Sequence, residues 1–273
     1  MSKDFKKGAE TAAPVFSFSF PLGTEYVDLP SQGKFYPEEH PLFGVEQVEI
    51  KYMCGKDEEI LTNKSYIKNG LVVDKLLANL IVDKHIVNAL DEMLSADKAA
   101  LFIAARITGI SSEYDTEITC PQCGVRQTYS FDLEKRTLYH GLEEDVENVK
   151  RIENNVFRVT LPVSKVEVDV RLTISKDSNK MLKLVHSNKE IVNNDIFGDS
   201  VISITIPDGT RFTDNKSKLI FFENVPAKEL LFLKRKIKEI NPDFSLEQEF
   251  SCTKCPYTGM LEPPFTANFI YPK

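Results

Sequence analysis

The sequence predicts an α+β fold in which two distant CxxC knuckles form a zinc-ribbon-like module, accompanied by helices and an inserted α/β subdomain. Three observations predict it. Four of the five cysteines form two pairs, each with two residues between its members. Several segments alternate apolar and polar residues, which is typical of strands. Others repeat apolar residues every three or four positions, which is typical of helices.

The two cysteine pairs predict a shared metal site. A CxxC turn lets both of its thiolates face one ion, and four thiolates are the ligand set of a structural zinc site. The flanks of the pairs repeat as well, since Glu117-Ile-Thr precedes the first and Glu249-Phe-Ser precedes the second. Independent disulfides, or reduced cysteines that bind nothing, are the two alternatives. The predicted Zn²⁺ ligands are Cys120, Cys123, Cys252 and Cys255.

The interval between the pairs is long, because 128 residues separate Cys123 from Cys252, against about 15–20 in an ordinary zinc ribbon. Closing the longer loop costs roughly 2 kcal/mol more, since loop entropy grows only logarithmically with length. Structural zinc supplies an apparent binding free energy of about 10–16 kcal/mol. The metal therefore outweighs the added loop entropy.

Composition excludes some classes of protein. At 273 residues and 42% hydrophobic, the chain is long enough for one large domain or two small ones. It has no run of about 20 apolar residues that would span a bilayer. The charged N-terminal octapeptide has no apolar run behind it, so we expect no signal peptide, and a reducing cytosol favours zinc over disulfides. A net charge of −7 disfavours broad nucleic-acid binding.

Residues 1–22 are predicted to form a flexible N-terminal arm. Within it, Phe16, Phe18 and Phe20 alternate with serines, which fits an extended strand with one apolar face. This strand either lies at an edge of its own domain or adds to the sheet of a partner. The three phenylalanines are therefore candidate partner-binding residues.

Residues 29–36 are predicted to form a turn-rich loop, because prolines and a glycine interrupt the chain there. Its apolar residues are further candidates for partner binding: Leu29, Pro30, Phe35 and Tyr36. A strand over residues 45–53 follows and ends at Cys54. That lone cysteine is either a small buried residue or a reactive one.

Two helices and the first hairpin come next. A leucine-rich stripe predicts a helix over about 72–82, and a second helix opens with Ser95 as N-cap and ends before Gly109. Strands at 114–119 and 125–133 then flank the first cysteine pair as a hairpin. Residues 23–140 together with 246–273 are predicted to form one zinc-closed discontinuous domain.

Residues 141–245 are predicted to be an inserted α+β subdomain. Residues 141–153 are charged and predict a link, whereas 155–161 and 166–174 predict a hairpin. Helices are predicted at 178–190 and 226–240, and residues 201–206 form a short strand or a helix end. The basic face of the last helix is either solvated or in contact with an acidic protein or a nucleic acid.

An ordered set of motifs resembles a known family. The set comprises Leu29-Pro-Ser-x-Gly-x-x-Tyr36, a strand ending near Met53, a helical block with Ala104-Ala-Arg106, and the two CxxC pairs near 120 and 252. It is similar to the baseplate (hub assembly) proteins of T4-like contractile-tailed bacteriophages. The resemblance covers residues 27–133 and 247–273.

The resemblance implies a non-enzymatic late protein that assembles the tail baseplate or belongs to its hub. Its partners would be other baseplate and tail proteins, in the host bacterial cytoplasm or in the virion tail baseplate. The alternative is a zinc-ribbon phage transcription factor that binds nucleic acid through Lys234, Arg235, Lys236 and Lys238. The sequence contains no phosphate-binding loop, nucleophile elbow or hydrolytic metal motif, which disfavours an enzyme.

Overall fold

A computed structural model describes residues 23–176, residues 200–264 and residue 269. The predicted arm, with Phe16, Phe18 and Phe20, lies outside these residues, as does the predicted helix at 178–190. A small sheet and five helices make up the first part of the described chain. They are β1 (Thr24–Asp28), β2 (Gln47–Lys51), α1 (Gly55–Thr62), α2 (Lys64–Asn69), α3 (Val72–Leu80), α4 (Lys84–Asn88) and α5 (Ser95–Gly109).

Strands dominate the remainder of the described chain. They are β3 (Glu113–Thr119), β4 (Arg126–Asp132), β5 (Thr137–Tyr139), β6 (Val149–Glu153), β7 (Val156–Thr160), β8 (Glu167–Arg171), β9 (Val201–Thr205), β10 (Arg211–Phe212), β11 (Asp243–Ser245), β12 (Gln248–Ser251) and β13 (Thr258–Leu261). The helices of this part are α6 (Asn215–Asn224) and α7 (Ala227–Ile240). Helix and sheet are mixed, as the sequence predicts. Among the described residues, no helix combines the length and apolarity needed to cross a membrane.

The largest sheet is antiparallel, with the strand order β10-β9-β8-β7-β6. Alternation along its strands separates two faces. Phe157 and Val159 of β7 pair with Val170 and Val168 of β8, and all four side chains are buried on the core face. The predicted hairpin around residue 163 is confirmed and lies at the centre of this sheet.

Residues 149–153 correct one prediction, because they form the edge strand β6 and do not link two parts. Among the described residues β6 pairs with β7 on one side only, and Val149 is its buried residue. Charged side chains are tolerated on such an edge, where they remain in solvent. The charged composition that suggested a link is therefore compatible with a strand at this position.

Two hydrophobic cores divide the described residues. The main core joins β1, β2 and α3 to the five-stranded sheet and α7, so residues 27–105 and 149–240 pack together. The predicted inserted subdomain at 141–245 therefore shares its core with the preceding helices. Its separation from residues 23–140 stays a prediction.

The second core is smaller and consists of both cysteine-bearing hairpins with the helix beside them. Residues 103–133 contribute to it, and so do residues 246–269. Ile103 of α5 faces this core, whereas Leu101 and Ala104 face the main one. Because α5 has residues in both cores, it packs against each of them.

The apolar residues of the loop at 29–36 are buried, whereas the sequence suggested a surface that binds a partner. Leu29, Phe35 and Tyr36 are at most 3% exposed, and Pro30 is buried as well. Phe35 packs against Phe157 of the sheet, with ring centroids 6.1 Å apart. Contact of these four side chains with a partner stays a prediction, and it requires the loop to open.

One buried carboxylate holds this loop in place. Asp97 in the first turn of α5 is fully buried and accepts hydrogen bonds from Ser31 N (2.9 Å), Ser31 Oγ (2.6 Å) and Tyr36 Oη (2.7 Å). Tyr36 Oη also accepts a bond from the backbone N–H of Leu94. Burial raises the pKa of Asp97 above its ordinary value, although the bonds from Ser31 and Tyr36 oppose the shift.

Gly33 makes the tight return of the loop possible. Its φ is +70°, a left-handed conformation that glycine adopts at little cost. A Cβ at this position would lie 2.3 Å from Val45 N and 2.6 Å from Leu42 O, both of which are backbone atoms. No larger residue fits without moving the chain at 42–45.

Helix α5 differs at both ends from its prediction. Leu94 is the N-cap residue and Ser95 is the first residue of the helix, while Gly109 is the last helical residue. Leu94 is held from outside the helix, since its N–H donates to Tyr36 Oη and the N–H of Ser95 donates to Thr173 O. Tertiary contacts therefore set this helix start.

We expect Asp97→Ala to lower the free energy of unfolding by about 3 kcal/mol, because three buried donors lose their acceptor. Urea denaturation of the purified chain measures the change. Asp115→Ala is the matched control, since Asp115 is exposed on β3, and its effect should stay within about 0.5 kcal/mol. Equal effects of the two variants would contradict the structural role of Asp97.

The raised pKa of Asp97 also predicts a pH dependence. The folded chain holds the Asp97 proton more tightly than the unfolded chain does, so this group contributes less stability as the pH rises above about 4. Relative to Asp97→Asn, which does not titrate, the wild-type chain should lose stability between about pH 4 and the folded pKa. Urea midpoints measured in parallel across this range test the difference, and parallel curves would show that the carboxyl is not perturbed.

Candidate metal centre

The two cysteine-bearing hairpins share their turn length and one turn hydrogen bond. β3 pairs with β4 up to Thr119↔Arg126, and β12 pairs with β13 up to Ser251↔Thr258, so each hairpin encloses a six-residue turn. In each turn the N–H of the first cysteine donates to the carbonyl five residues later. These bonds are Cys120 N to Val125 O and Cys252 N to Tyr257 O, both 2.9 Å. The two predicted knuckles therefore share their length and this bond, whereas the residue after the second cysteine is Gly124 in one and Pro256 in the other.

The first turn is closed by a glycine after its second cysteine. Gly124 has φ +69°, and its N–H donates to Cys120 O at 2.9 Å. A residue with a Cβ is strained in this left-handed conformation. Gly124 thus folds the chain back so that Cys120 and Cys123 lie on the same side of the turn.

The Sγ atoms of the four predicted ligands lie close together. Cys120 Sγ lies 3.7 Å from Cys255 Sγ, and Cys123 Sγ lies 3.7 Å from Cys252 Sγ. All four sulfur atoms lie within 4.8 Å of one another. Cys120 is buried, Cys252 and Cys255 are half-buried and Cys123 is exposed, so the cluster lies at the surface of the second core.

Two of the six sulfur–sulfur separations match the edge of a tetrahedral metal site. A tetrahedron with metal–sulfur bonds of about 2.3 Å has sulfur–sulfur edges of about 3.8 Å, close to the two 3.7 Å separations. A disulfide needs about 2.05 Å, and all five cysteines are free thiols. The arrangement is therefore compatible with one thiolate-bound divalent ion and does not match the disulfide alternative.

The protein also favours a thiolate at one of the four positions. The backbone N–H of Lys254 donates to Cys252 Sγ at 3.4 Å, and this bond is the main cause that lowers the pKa of the Cys252 thiol to about 7. At Cys255 a backbone hydrogen bond from Tyr257 acts in the same direction. Desolvation and the neighbouring thiols outweigh it and raise the pKa of Cys255 to about 12. A bound cation would displace the remaining protons.

Polar side chains on β4 and β12 join the two hairpins independently of the sulfurs. Gln127 Nε2 donates to Ser251 O, and Gln127 Oε1 accepts from Thr253 N at 3.0 Å. Tyr129 Oη donates to Glu249 O at 2.7 Å. Gln248 bonds the backbone N–H and carbonyl of Asp132. These contacts fix the approach of the two knuckles.

Sequence reasoning missed Gln127, Tyr129 and Gln248. The only signal in the sequence for this role is their position, since they lie on strands directly next to the cysteine turns. Glutamine and tyrosine on strands are ordinarily solvent-facing, and the identity of a cross-hairpin partner is not visible in either segment alone. A repeated hairpin motif predicts the turn, but not the interface between the copies.

Arg106 supports the second core from the side of α5. Its guanidinium donates to three backbone carbonyls, those of Phe269, Ser111 and Glu113. It also lies over the rings of Tyr114 and Phe269, 5.9 and 5.8 Å from their centroids. Burial lowers the pKa of Arg106 from its ordinary value, although Tyr114 opposes the shift. Arg106 therefore fastens residue 269 to the start of β3.

A comparison with family models matches residues 23–262 to the family described as T4 bacteriophage base plate protein. The match covers both hairpins, the five-stranded sheet and the loop at 29–36. No curated protein matches the chain. No solved structure matches it.

We expect the purified chain to bind one Zn²⁺ through the four sulfurs. Cys123→Ser should abolish stoichiometric binding, because the site then keeps only three of its four thiolate ligands. Elemental analysis after dialysis measures the ratio. Cys54→Ser is the matched control: Cys54 is the N-cap of α1, and serine is a good N-cap residue. A full equivalent of zinc in Cys123→Ser would contradict the assigned ligand set.

Removal of the metal should loosen the two cores unequally. Chelation is expected to increase hydrogen exchange in β3, β4, β12 and β13, because these strands surround the four sulfurs. The amides of β7 and β8 belong to the main core and should keep their protection. Hydrogen exchange measured by mass spectrometry with and without chelator tests this. A uniform loss of protection would show that the cores are not separable.

Proposed function

We propose that this chain, which belongs to the T4 bacteriophage base plate protein family, is a non-enzymatic structural component that docks with other tail proteins during baseplate assembly. The family match over residues 23–262 is the observation that carries this proposal. Its finer parts are a structural Zn²⁺, a place at the baseplate hub and a docking role for the N-terminal arm.

The ion that we propose for the sulfur cluster is Zn²⁺. Four cysteine sulfurs lie within 4.8 Å of one another, and four thiolates are a common ligand set for structural zinc. With four protein ligands, such an ion has no open position for water or substrate, which supports a structural role over hydrolysis. Bound zinc would hold the two knuckles together, and Gln127 and Gln248 would orient them from either side.

We assign docking to the arm of residues 1–22. Phe16, Phe18 and Phe20 alternate with serines, a pattern suited to adding a strand to the sheet of a partner. The loop at 29–36 has the other candidate residues, but Asp97 binds it from inside the protein. The arm is therefore the first choice for partner contact, and the loop would follow only by opening.

The site of action follows from the proposed role. A hub component made as a late protein would join its partners in the host bacterial cytoplasm and remain in the tail baseplate of the virion. A role in nucleic-acid binding has less support, because Glu239 lies 2.7 Å from Lys236 Nζ and 3.9 Å from Arg235 Nε on α7. That pairing offsets part of the basic face.

Replacing Phe16, Phe18 and Phe20 together by alanine should leave the folded chain intact and reduce its recovery with other baseplate proteins. The reason is that the apolar face of the arm is lost, while the described core does not change. Affinity purification from infected cells, with mass spectrometry of the eluate, measures the recovery.

The matched control is Ser17→Ala with Ser19→Ala, which alters the opposite face of the same strand pattern. It should retain the partners. Equal recovery of baseplate proteins with both variants would exclude the arm as the docking element. An eluate with nucleic acid and without baseplate proteins would instead support the transcription-factor alternative.

A further inference from the structure

The four sulfurs of the two knuckles also lie close enough to bond to each other. Cys120 Sγ and Cys255 Sγ are 3.7 Å apart, as are Cys123 Sγ and Cys252 Sγ, so both pairs are in contact. Each pair joins one hairpin to the other, and each cysteine occurs in one pair only. Four cysteines allow three pairings as disulfides. These two contacts favour the pairing that crosses between the hairpins.

Only a small movement separates these contacts from bonds. A disulfide has a sulfur–sulfur distance of about 2.05 Å, so the atoms of each pair would approach by about 1.7 Å from their 3.7 Å separation. Rotation about the Cα–Cβ bond displaces Sγ first, because Sγ is the terminal atom of the side chain. The turn hydrogen bonds of Cys120 N and Cys252 N can stay in place during this movement.

The hairpins are held beside each other by contacts that involve no sulfur. Gln127 Nε2 donates to Ser251 O, and Tyr129 Oη donates to Glu249 O. These bonds join β4 to β12 whether or not an ion is bound. Sulfurs of opposite hairpins therefore remain neighbours in the metal-free chain, which favours bonds between the hairpins over bonds within one turn.

The four sulfurs differ in their access to solvent. Cys123 is exposed and its neighbour Cys252 is half-buried, whereas Cys255 is half-buried and its neighbour Cys120 is buried. Oxidation of cysteine follows the exposure of the thiolate. An oxidant in solution should therefore reach Cys123 first, and the pair that contains Cys120 should react second.

We propose that hydrogen peroxide converts the metal-free cluster into two disulfides between the hairpins, first Cys123–Cys252 and then Cys120–Cys255. These disulfides would join the same two turns that a bound ion joins. The inference rests on the proposed metal site and adds a covalent, oxidised form of it. Such a form suits a tail protein that leaves a reducing cytosol for an oxidising medium.

Each disulfide forms in two steps that consume one peroxide. The Cys123 thiolate attacks one peroxide oxygen and the O–O bond breaks, which gives a sulfenic acid and a hydroxide. The Cys252 thiolate then attacks the sulfenic sulfur and expels a second hydroxide. Both hydroxides take up the protons that the two thiols released. Two thiols and one hydrogen peroxide thus give one disulfide and two waters, and Cys255 and Cys120 react in the same way.

Peptide mapping of the purified full chain tests whether the bonds cross between the hairpins. The reduced, metal-free chain is treated with hydrogen peroxide, alkylated and digested with trypsin without reductant. Cleavage after Lys254 separates Cys252 from Cys255. Both resulting peptides should be linked to the peptide that contains Cys120 and Cys123. A link between Cys252 and Cys255, a link between two chains, or sulfinic acids in place of disulfides would overturn the proposal.

Two single variants distinguish the two pairings that cross between the hairpins. In Cys123→Ser, Cys120 should be linked to Cys255. In Cys120→Ser, Cys123 should be linked to Cys252. Links of Cys120 to Cys252 and of Cys123 to Cys255 would contradict the assigned pairs. Cys54→Ser is the control, since Cys54 lies at the start of α1, and it should give the wild-type map.

Hydrogen exchange measures whether the disulfides replace the metal as a link between the hairpins. In the metal-free chain, the amides of β3, β4, β12 and β13 should exchange at least about tenfold more slowly after oxidation, because the bonds join residues 135 and 129 positions apart. Dithiothreitol should restore the faster exchange. Equal exchange in the oxidised and reduced chains would show that the disulfides do not hold the hairpins together.

Zinc analysis separates this inference from the proposed metal site. A metal ion needs the sulfurs as thiolates, so the zinc-loaded chain should form disulfides at least about tenfold more slowly than the metal-free chain. A chain that binds one equivalent of zinc but gives other links overturns the inference and leaves the metal site in place. A chain that gives the expected links but binds no zinc removes the proposed zinc and leaves the disulfides.

Discussion

Convergence of four sulfur atoms from two hairpins far apart in sequence is the constraint on which the second core depends. Each hairpin alone has two paired strands, a size that is marginally stable in water. Together they enclose Phe131 and Phe250, both fully buried, with Tyr129 edge-on to each of them. An ion bound to the four sulfurs would join the turns of the two hairpins. Hydrogen bonds of Gln127, Tyr129 and Gln248 join them along their strands. Metal coordination at the sulfurs would thus act on the same interface as these polar contacts.

Helix α5 connects the second core to the main core. Its Asp97 binds the buried loop at 29–36 at one end, and its Arg106 binds three backbone carbonyls near the second core at the other. Between them, Leu101 and Ala104 face the main core, whereas Ile103 faces the second. One helix therefore has a buried carboxyl group and a buried guanidinium at its two ends, each satisfied by hydrogen bonds.

Local patterns in the sequence were sufficient to predict the elements whose signals are contained in one segment. The turns of Cys120–Cys123 and Cys252–Cys255, the β7–β8 hairpin and helix α7 were all predicted from spacing and alternation. Their physics is local, because turn geometry and the apolar face are determined within a few residues. The shared sulfur position followed from ligand chemistry, without knowledge of the intervening chain.

Features that depend on distant partners could not be predicted in this way. The loop at 29–36 has aromatic residues, as a docking loop also has. Its contacts with Asp97 and Phe157, both more than sixty residues away, make its apolar side chains part of the interior. The charged residues at 149–153 did not predict the edge strand β6, because the sequence of this segment does not show that it pairs with β7. The carboxylate of Glu229 resembles any acid in the first turn of a helix until the turn at Val163 and Ser164 is placed against it.

The order of residues along the chain has a consequence for biosynthesis. Every residue of the main core, up to Ile240, leaves the ribosome before Cys252 does. Domains can fold as they emerge during translation. The five-stranded sheet and its helices can thus form while Cys120 and Cys123 still lack the second cysteine pair. The four sulfurs come together only after the main core has been synthesised, so metal uptake would report that translation has passed residue 255.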